Sequence, residues 1–235
     1  NSNFKVIDTQ KKLGDIFVHQ GKMIKGKIKI KDTVNLEIDN ERRSNTRAYH
    51  SATHLLHEAL RRILGKHVIQ KGSYVGPDKL RFDFSHMKPI DESEIRKIEK
   101  YVNDIIKTKS NVRTRLMTPK EAVDNGALAL FGEKYGDEVR VLSMGEEKNK
   151  YFSTELCGGT HVKNTSEIGE FKIVSQSAIA SGVRRVEALR AEQLANYLKK
   201  QKQDSDSLSK ITSEKVANLE KEIKKLGNKP ISVSE

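Results

Sequence analysis

Two pairs of metal-competent side chains, each pair four positions apart, are separated by about a hundred residues: His50 with His54, then Cys157 with His161. A chain that uses all four must bring an early segment against a late one, and that constrains its topology more than any other feature. On a helix, residues four apart stack on one face with Cβ atoms about 5–6 Å apart. His57 adds an ambiguity, because His54 and His57 also share a face. The zinc-protease pattern is excluded. It needs a glutamate after the first histidine and a second histidine four residues on, but Ser51 follows His50 and Arg61 stands four after His57. Around the late pair, Gly158 and Gly159 let the backbone approach a ligand or take positive φ. Alone, a cysteine of this kind reads as a small buried apolar residue. Joined with His50, His54 and His161, Cys157 becomes part of a His₃Cys set of the mixed N/S type that suits Zn²⁺.

With Cys157 the only cysteine, no intramolecular disulfide forms, and a reducing, cytoplasmic setting fits. Forty-four Lys+Arg against 32 Asp+Glu leave a net charge of +12, which points to an anionic partner, nucleic acid being the commonest. Hydrophobic residues are only 35% of the chain and apolar runs stay far below the roughly 20 residues of a membrane helix. No signal peptide is visible, so membrane and secreted disulfide-rich classes are excluded. The start at Asn1 rather than methionine suggests a piece of a longer protein.

Phe4–Val18, Met23–Val34 and Leu36–Ile38 read as short strands with glycine breaks, a small β-barrel module over residues 1–45. From Thr46 the spacing turns helical, through Tyr49, Thr53, Leu56, Leu60 and Ile63 to a stop at Gly65. Two strands around Gly76-Pro77-Asp78 follow, then a helix from Asp91 carrying Ile95, Ile98, Val102 and Ile105. Val112–Met117, Val139–Leu142, Phe152–Leu156 and Gly169–Val174 read as strands, with a short helix from Pro119 to Asn125. This irregular mixture predicts an α+β fold over residues 46–190. The chain reads as helical after about Val186, with a polar linker or frayed helix at Gln201–Lys210. Val216, Leu219, Ile223 and Leu226 then give a brief coiled-coil spacing, ended by Gly227 and Pro230, so residues 191–235 read as a helical segment.

Six motifs stand in order: His50-Ser-Ala-Thr-His54-Leu-Leu-His-Glu-Ala-Leu-Arg, Gln70-Lys-Gly-Ser73, Leu80-Arg-Phe-Asp-Phe-Ser-His86, Ala129 to Asp137, Glu155-Leu-Cys-Gly-Gly-Thr-His161 and Gly182-Val-Arg-Arg185. Together they resemble the editing domain of alanyl-tRNA synthetase, preceded by that enzyme's small barrel and followed by the start of its helical stalk. Gln176 and Leu189-Arg190 depart from the family pattern.

The resemblance implies an aminoacyl-tRNA ester hydrolase, with tRNA(Ala) mischarged with serine or glycine as substrate. It places the zinc ligands, and the catalytic centre, at His50, His54, Cys157 and His161. It implies an editing role for Gln70, a contact from Thr53 to the substrate side chain, and RNA contacts from Arg184 and Arg185. ATP and Mg²⁺ would serve only an aminoacylation domain that the sequence does not contain, and the parent enzyme would oligomerise through its C-terminal region. Two other readings of the residues stand: a zinc-stapled RNA-binding module without catalysis, and a free-standing trans-editing deacylase.

Overall fold

The computed structural model describes residues 2–14, 16–128, 136–147 and 150–227. Most of the motif from Ala129 to Asp137, and Pro230, lie outside the described residues. The chain divides into two units, Asn1–Asp39 and Asn40–Glu235.

The first unit is a hairpin of β1 (Asn3–Lys12) and β2 (Ile16–Lys25), turning where Gly14 takes a positive φ of 84°. The strands expected over Met23–Val34 and Leu36–Ile38 do not extend past Lys25, and Ile28, Ile30, Val34, Leu36 and Ile38 are exposed. Alternating apolar residues form a strand only when another strand completes the ladder and another layer covers the apolar face. The described residues supply neither, so the expected barrel is here a single hairpin.

The second unit opens with α1 (Asn40–Leu64), which starts six residues before the expected Thr46. Tyr49, Leu55, Leu56 and Leu60 are fully buried, and Ser51, Thr53, His54 and His57 are buried among them. A helix buried on nearly all sides must satisfy its polar groups internally. Ser51 and Thr53 do so by donating to carbonyls four residues back, Arg47 O at 3.1 Å and Tyr49 O at 2.9 Å. The two histidines need partners from elsewhere in the fold.

Those partners arrive with the sheets. β3 (Gln70–Val75), β4 (Leu80–Ser85), β8 (Phe171–Ala180) and β9 (Val183–Arg190) form an antiparallel sheet in the order β3-β4-β9-β8. β5 (Arg113–Met117), β6 (Val139–Glu147) and β7 (Lys150–Leu156) form a second. α1 and α2 (Glu92–Lys107) pack on each other and touch strands of both sheets. Phe82, Phe84, Phe171 and Val186 meet Leu56, Ile98 and Val102 in the main core. A smaller cluster of Val139, Val141 and Leu156 lies under α3 (Pro119–Asp124), whose Thr118 caps it by accepting from Glu121 N. The fold is α+β, as the motif pattern predicts.

Two expectations near the C-terminus are corrected. The segment after Val186 is still strand β9, so Arg184 and Arg185 lie on a strand and not at a helix start. Val186 and Ala188 are buried with less buried residues between them, a period of two that the following helical sequence masked. Beyond it, α4 (Ala191–Lys225) is unbroken through Gln201–Lys210, where a linker or fraying was expected. Polar residues lower helix propensity by only tenths of a kcal/mol each, and that stretch has no glycine or proline to stop propagation.

At the β9–α4 junction, Arg190 turns inward. It is 7% exposed, donates through Nε to Ile168 O, through Nη2 to Glu167 O (3.2 Å) and through Nη1 to Asn45 Oδ1 (3.0 Å), and lies 5.5 Å from the Tyr49 ring centre. The departure from the family pattern at this position is therefore an interior clamp. Arg190→Met, which keeps bulk but strips three acceptors of a charged donor, should destabilise the second unit by about 3 kcal/mol or more, read as a lowered denaturant midpoint.

Candidate metal centre

The centre forms where α1 meets the segment after β7. The helix stacks His50 and His54 one turn apart, their ring centres 5.1 Å from each other. Cys157 leaves the end of β7, and Arg140 on β6 fixes it: Cys157 N donates to Arg140 O (3.0 Å), while the Arg140 guanidinium donates to Cys157 O (3.0 Å) and Gly159 O. Gly159 runs directly under His50. A Cβ there would lie 2.3 Å from the imidazole Cε1, so the close approach requires glycine. A Cβ at Gly158 would meet no atom within 4 Å beyond its chain neighbours, so Gly158 has no such steric duty. Val162 N then donates to Ser51 Oγ (3.1 Å), tying the end of the segment back to α1.

One donor atom from each of His50, His54, Cys157 and His161 falls within 4.8 Å of all the others. His161 Nε2 is 3.3 Å, and His50 Nε2 3.5 Å, from Cys157 Sγ. Ligands around a tetrahedral ion with bonds of about 2.0–2.3 Å sit roughly 3.3–3.8 Å apart, so these spacings fit one ion.

Orientation fits as well. Each imidazole is held at Nδ1 by a different group: His50 by Thr160 O (3.2 Å), His161 by Ser51 Oγ (3.3 Å) and His54 by Glu155 Oε2 (2.6 Å). Because Ser51 Oγ donates to Arg47 O and Thr160 O can only accept, the proton belongs on Nδ1 and the lone pair on Nε2. His54 Nε2 is buried without a hydrogen-bond partner, which is what a coordination position predicts.

The electrostatics favour a cation. Burial opposes a thiolate at Cys157, but the imidazoles of His161 and His50 beside its Sγ, with His54 close by, outweigh it and bring its pKa down to about 3. Burial pushes His161 down to about 4, keeping that imidazole neutral and ligand-ready. Burial also opposes charge on His54 and Glu155, yet their contact raises the histidine and lowers the glutamate. With a divalent ion held at the imidazole Nε2 atoms, the Cys157 thiolate and the Glu155 carboxylate would offset its charge inside the protein.

The structure thus brings together the four residues expected to do so. Thr53 is 5% exposed on the same helix and its hydroxyl donates within it. Gln70 begins β3 opposite Phe84, so it shares the inner sheet face, and its Nε2 donates to Ser73 Oγ (3.3 Å). Arg184 and Arg185 point to opposite sides of β9: Arg184 donates to Gln176 Oε1 (3.2 Å), and Arg185 grips Asp83 at 2.7 and 2.8 Å. His67 and His86, isolated in sequence, pair with each other at 2.9 Å. Sequence reading gave no role to Glu155, which sits 3% exposed beneath the histidines. Its signal was a carboxylate two residues before Cys157, between Thr154 and Leu156 at the end of β7.

Residues 139–187 match the threonyl and alanyl tRNA synthetase second additional domain. The matched stretch runs from β6 into β9 of the second unit. Across a wider span, the chain is 58% identical over 200 residues to the alanine–tRNA ligase of Parvibaculum lavamentivorans, covering 84% of this chain and 22% of that protein. It is 57% identical over 192 residues to that of Rhodopseudomonas palustris (79% and 22%), and 52% identical over 231 residues to that of Granulibacter bethesdensis (94% and 26%). The chain belongs to the alanine–tRNA ligase family, and spans about a quarter of the length of these relatives.

Proposed function

We propose that this chain binds one zinc ion through His50, His54, Cys157 and His161 and hydrolyses the ester of tRNA(Ala) mischarged with serine or glycine. The observation that carries the reading is the convergence of four donors whose imidazoles are each fixed at Nδ1, in a chain of this family. Zinc, when bound, supplies Lewis acidity at the centre.

The need for such a site follows from binding energetics. A pocket for alanine rejects glycine by only about 1–3 kcal/mol, because one methyl is missing, and excludes a small added hydroxyl no better. A second site can instead recognise the serine hydroxyl. Gln70 is our candidate: with Nε2 on Ser73, its Oε1 is the acceptor for that hydroxyl. Thr53 Oγ1, donating to Tyr49 O, likewise offers only acceptance. Arg184 and Arg185 are proposed contacts for the tRNA phosphates.

The supporting experiment is direct. Purified chain should release serine from seryl-tRNA(Ala) at a rate proportional to enzyme, and a Cys157→Ala chain should not. Four protein donors around one ion are also the mark of a closed, structural zinc, which favours a second reading, an RNA-binding module without catalysis. Zinc-loaded protein that binds the tRNA and leaves the ester intact would establish that reading instead.

Glu155 should matter to the metal although it is not a ligand. In Glu155→Gln the amide presents an N–H to one imidazole Nδ1, which moves the proton of that ring to Nε2 or breaks the hydrogen bond. Loss of such an outer partner weakens a metal site about 10–100-fold. Chelator competition should show zinc affinity reduced by that factor.

A further inference from the structure

His57 lies one turn from His54 and is 2% exposed, yet nothing in the proposed zinc coordination uses it. Its Nδ1 is 3.1 Å from Glu155 Oε1, while His54 Nδ1 is 2.6 Å from Oε2 of the same carboxylate. Its ring rests against Phe82, centres 5.2 Å apart, and Phe82 is fully buried. We propose that His57 is a positioning residue of the zinc site: by holding Glu155 Oε1 it fixes the carboxylate whose other oxygen orients the ligand His54. The inference rests on the zinc reading above and extends it one residue further from the metal.

The geometry supports this over simple packing. A glutamate with one oxygen bonded can still rotate about its terminal torsion, which is broad and roughly two-fold. Anchoring both oxygens to rings on one rigid helix removes that freedom. The two histidines, three apart on α1, present their Nδ1 atoms to one carboxylate entering from β7. His57 Nε2 is buried without a partner, so an Nε2–H would be stranded in the core. A proton on Nδ1, donated to Glu155, avoids that cost, since a bare acceptor nitrogen needs less than a stranded N–H. The chain of contacts then runs from metal to His54, to Glu155, to His57, with His57 closed off by Phe82.

The test is zinc affinity of the full chain by chelator competition, with the visible absorption of the Co²⁺-substituted protein as a second readout of ligand geometry. His57→Leu keeps an apolar fill and loses the donor; it should weaken zinc about tenfold and alter the cobalt spectrum. His57→Asn keeps an N–H near the Nδ1 position and should restore both. In a Glu155→Gln background, His57→Leu should cost almost nothing further, because its effect passes through the carboxylate. Native affinity in His57→Leu would overturn the proposal, as would a full additional loss in the Glu155→Gln background. If the leucine variant does not fold, His57→Met takes its place: weakened zinc that is rescued in His57→Asn supports the role, and native affinity in His57→Met overturns it. Failure of the unmodified chain to bind zinc would instead sink the zinc reading itself.

Discussion

Cys157→Ala is expected to weaken zinc binding by more than about 100-fold and to abolish the release of serine. Structural zinc sites of four ligands are worth about 10–16 kcal/mol near neutral pH, so an even share per ligand is about 3 kcal/mol, or roughly two decades in affinity. The thiolate contributes more than its share here. It is the one anionic ligand among three imidazoles, and without it only Glu155 would offset a buried dication. Cys157 is partly buried and packs at the margin of the core, so the alanine side chain should leave the fold intact. Metal content after dialysis against a weak chelator, alongside circular dichroism, checks both halves. Undiminished zinc in a folded variant would remove Cys157 from the ligand set.

How much of this site could be read before the fold was known depends on where its residues lie along the chain. The four proposed ligands were legible because metal chemistry restricts residue type and local geometry restricts spacing: His50 and His54 stand four apart, as do Cys157 and His161. Their supports were not. Glu155 meets His54 across 101 residues, Ser51 meets His161 across 110, and no local pattern encodes either contact. The same division holds for the fold. α1 and α2 carry apolar residues at helical period and appear close to where expected, whereas β9 continues to Arg190 because Arg185 pairs with Asp83 and Val186 with Phe82 on a strand a hundred residues earlier. The first unit erred in the other direction: beyond Lys25 it has strand composition, and among the described residues no strand pairs with it. Arg190 looked like a departure from a motif, and the carbonyls of Glu167 and Ile168 with Asn45 Oδ1 explain why an arginine can be buried there.

Replacing Gln70 with leucine is expected to collapse the preference for seryl over alanyl ester by about tenfold to hundredfold. The argument turns on an asymmetry. An acceptor placed for the serine hydroxyl gains a hydrogen bond with serine and is left unpaired with alanine, and a buried unpaired polar group costs about 1–3 kcal/mol. Leucine removes the acceptor, so both esters meet the same apolar surface and the ratio of their rates falls by that factor. Gln70 is suited to the part because its amide orientation is set: Nε2 is taken by Ser73, on the face of β3 that Phe82 and Phe84 continue toward α1. The competing possibility is that Gln70 only begins the strand, where its register with Phe84 starts the β3–β4 ladder. In that case the variant would lose stability without changing the ratio. Rates on the two esters, measured with zinc content and thermal midpoint on the same preparations, separate the cases. A ratio unchanged in a folded, zinc-loaded Gln70→Leu chain would end the claim that this residue sets specificity.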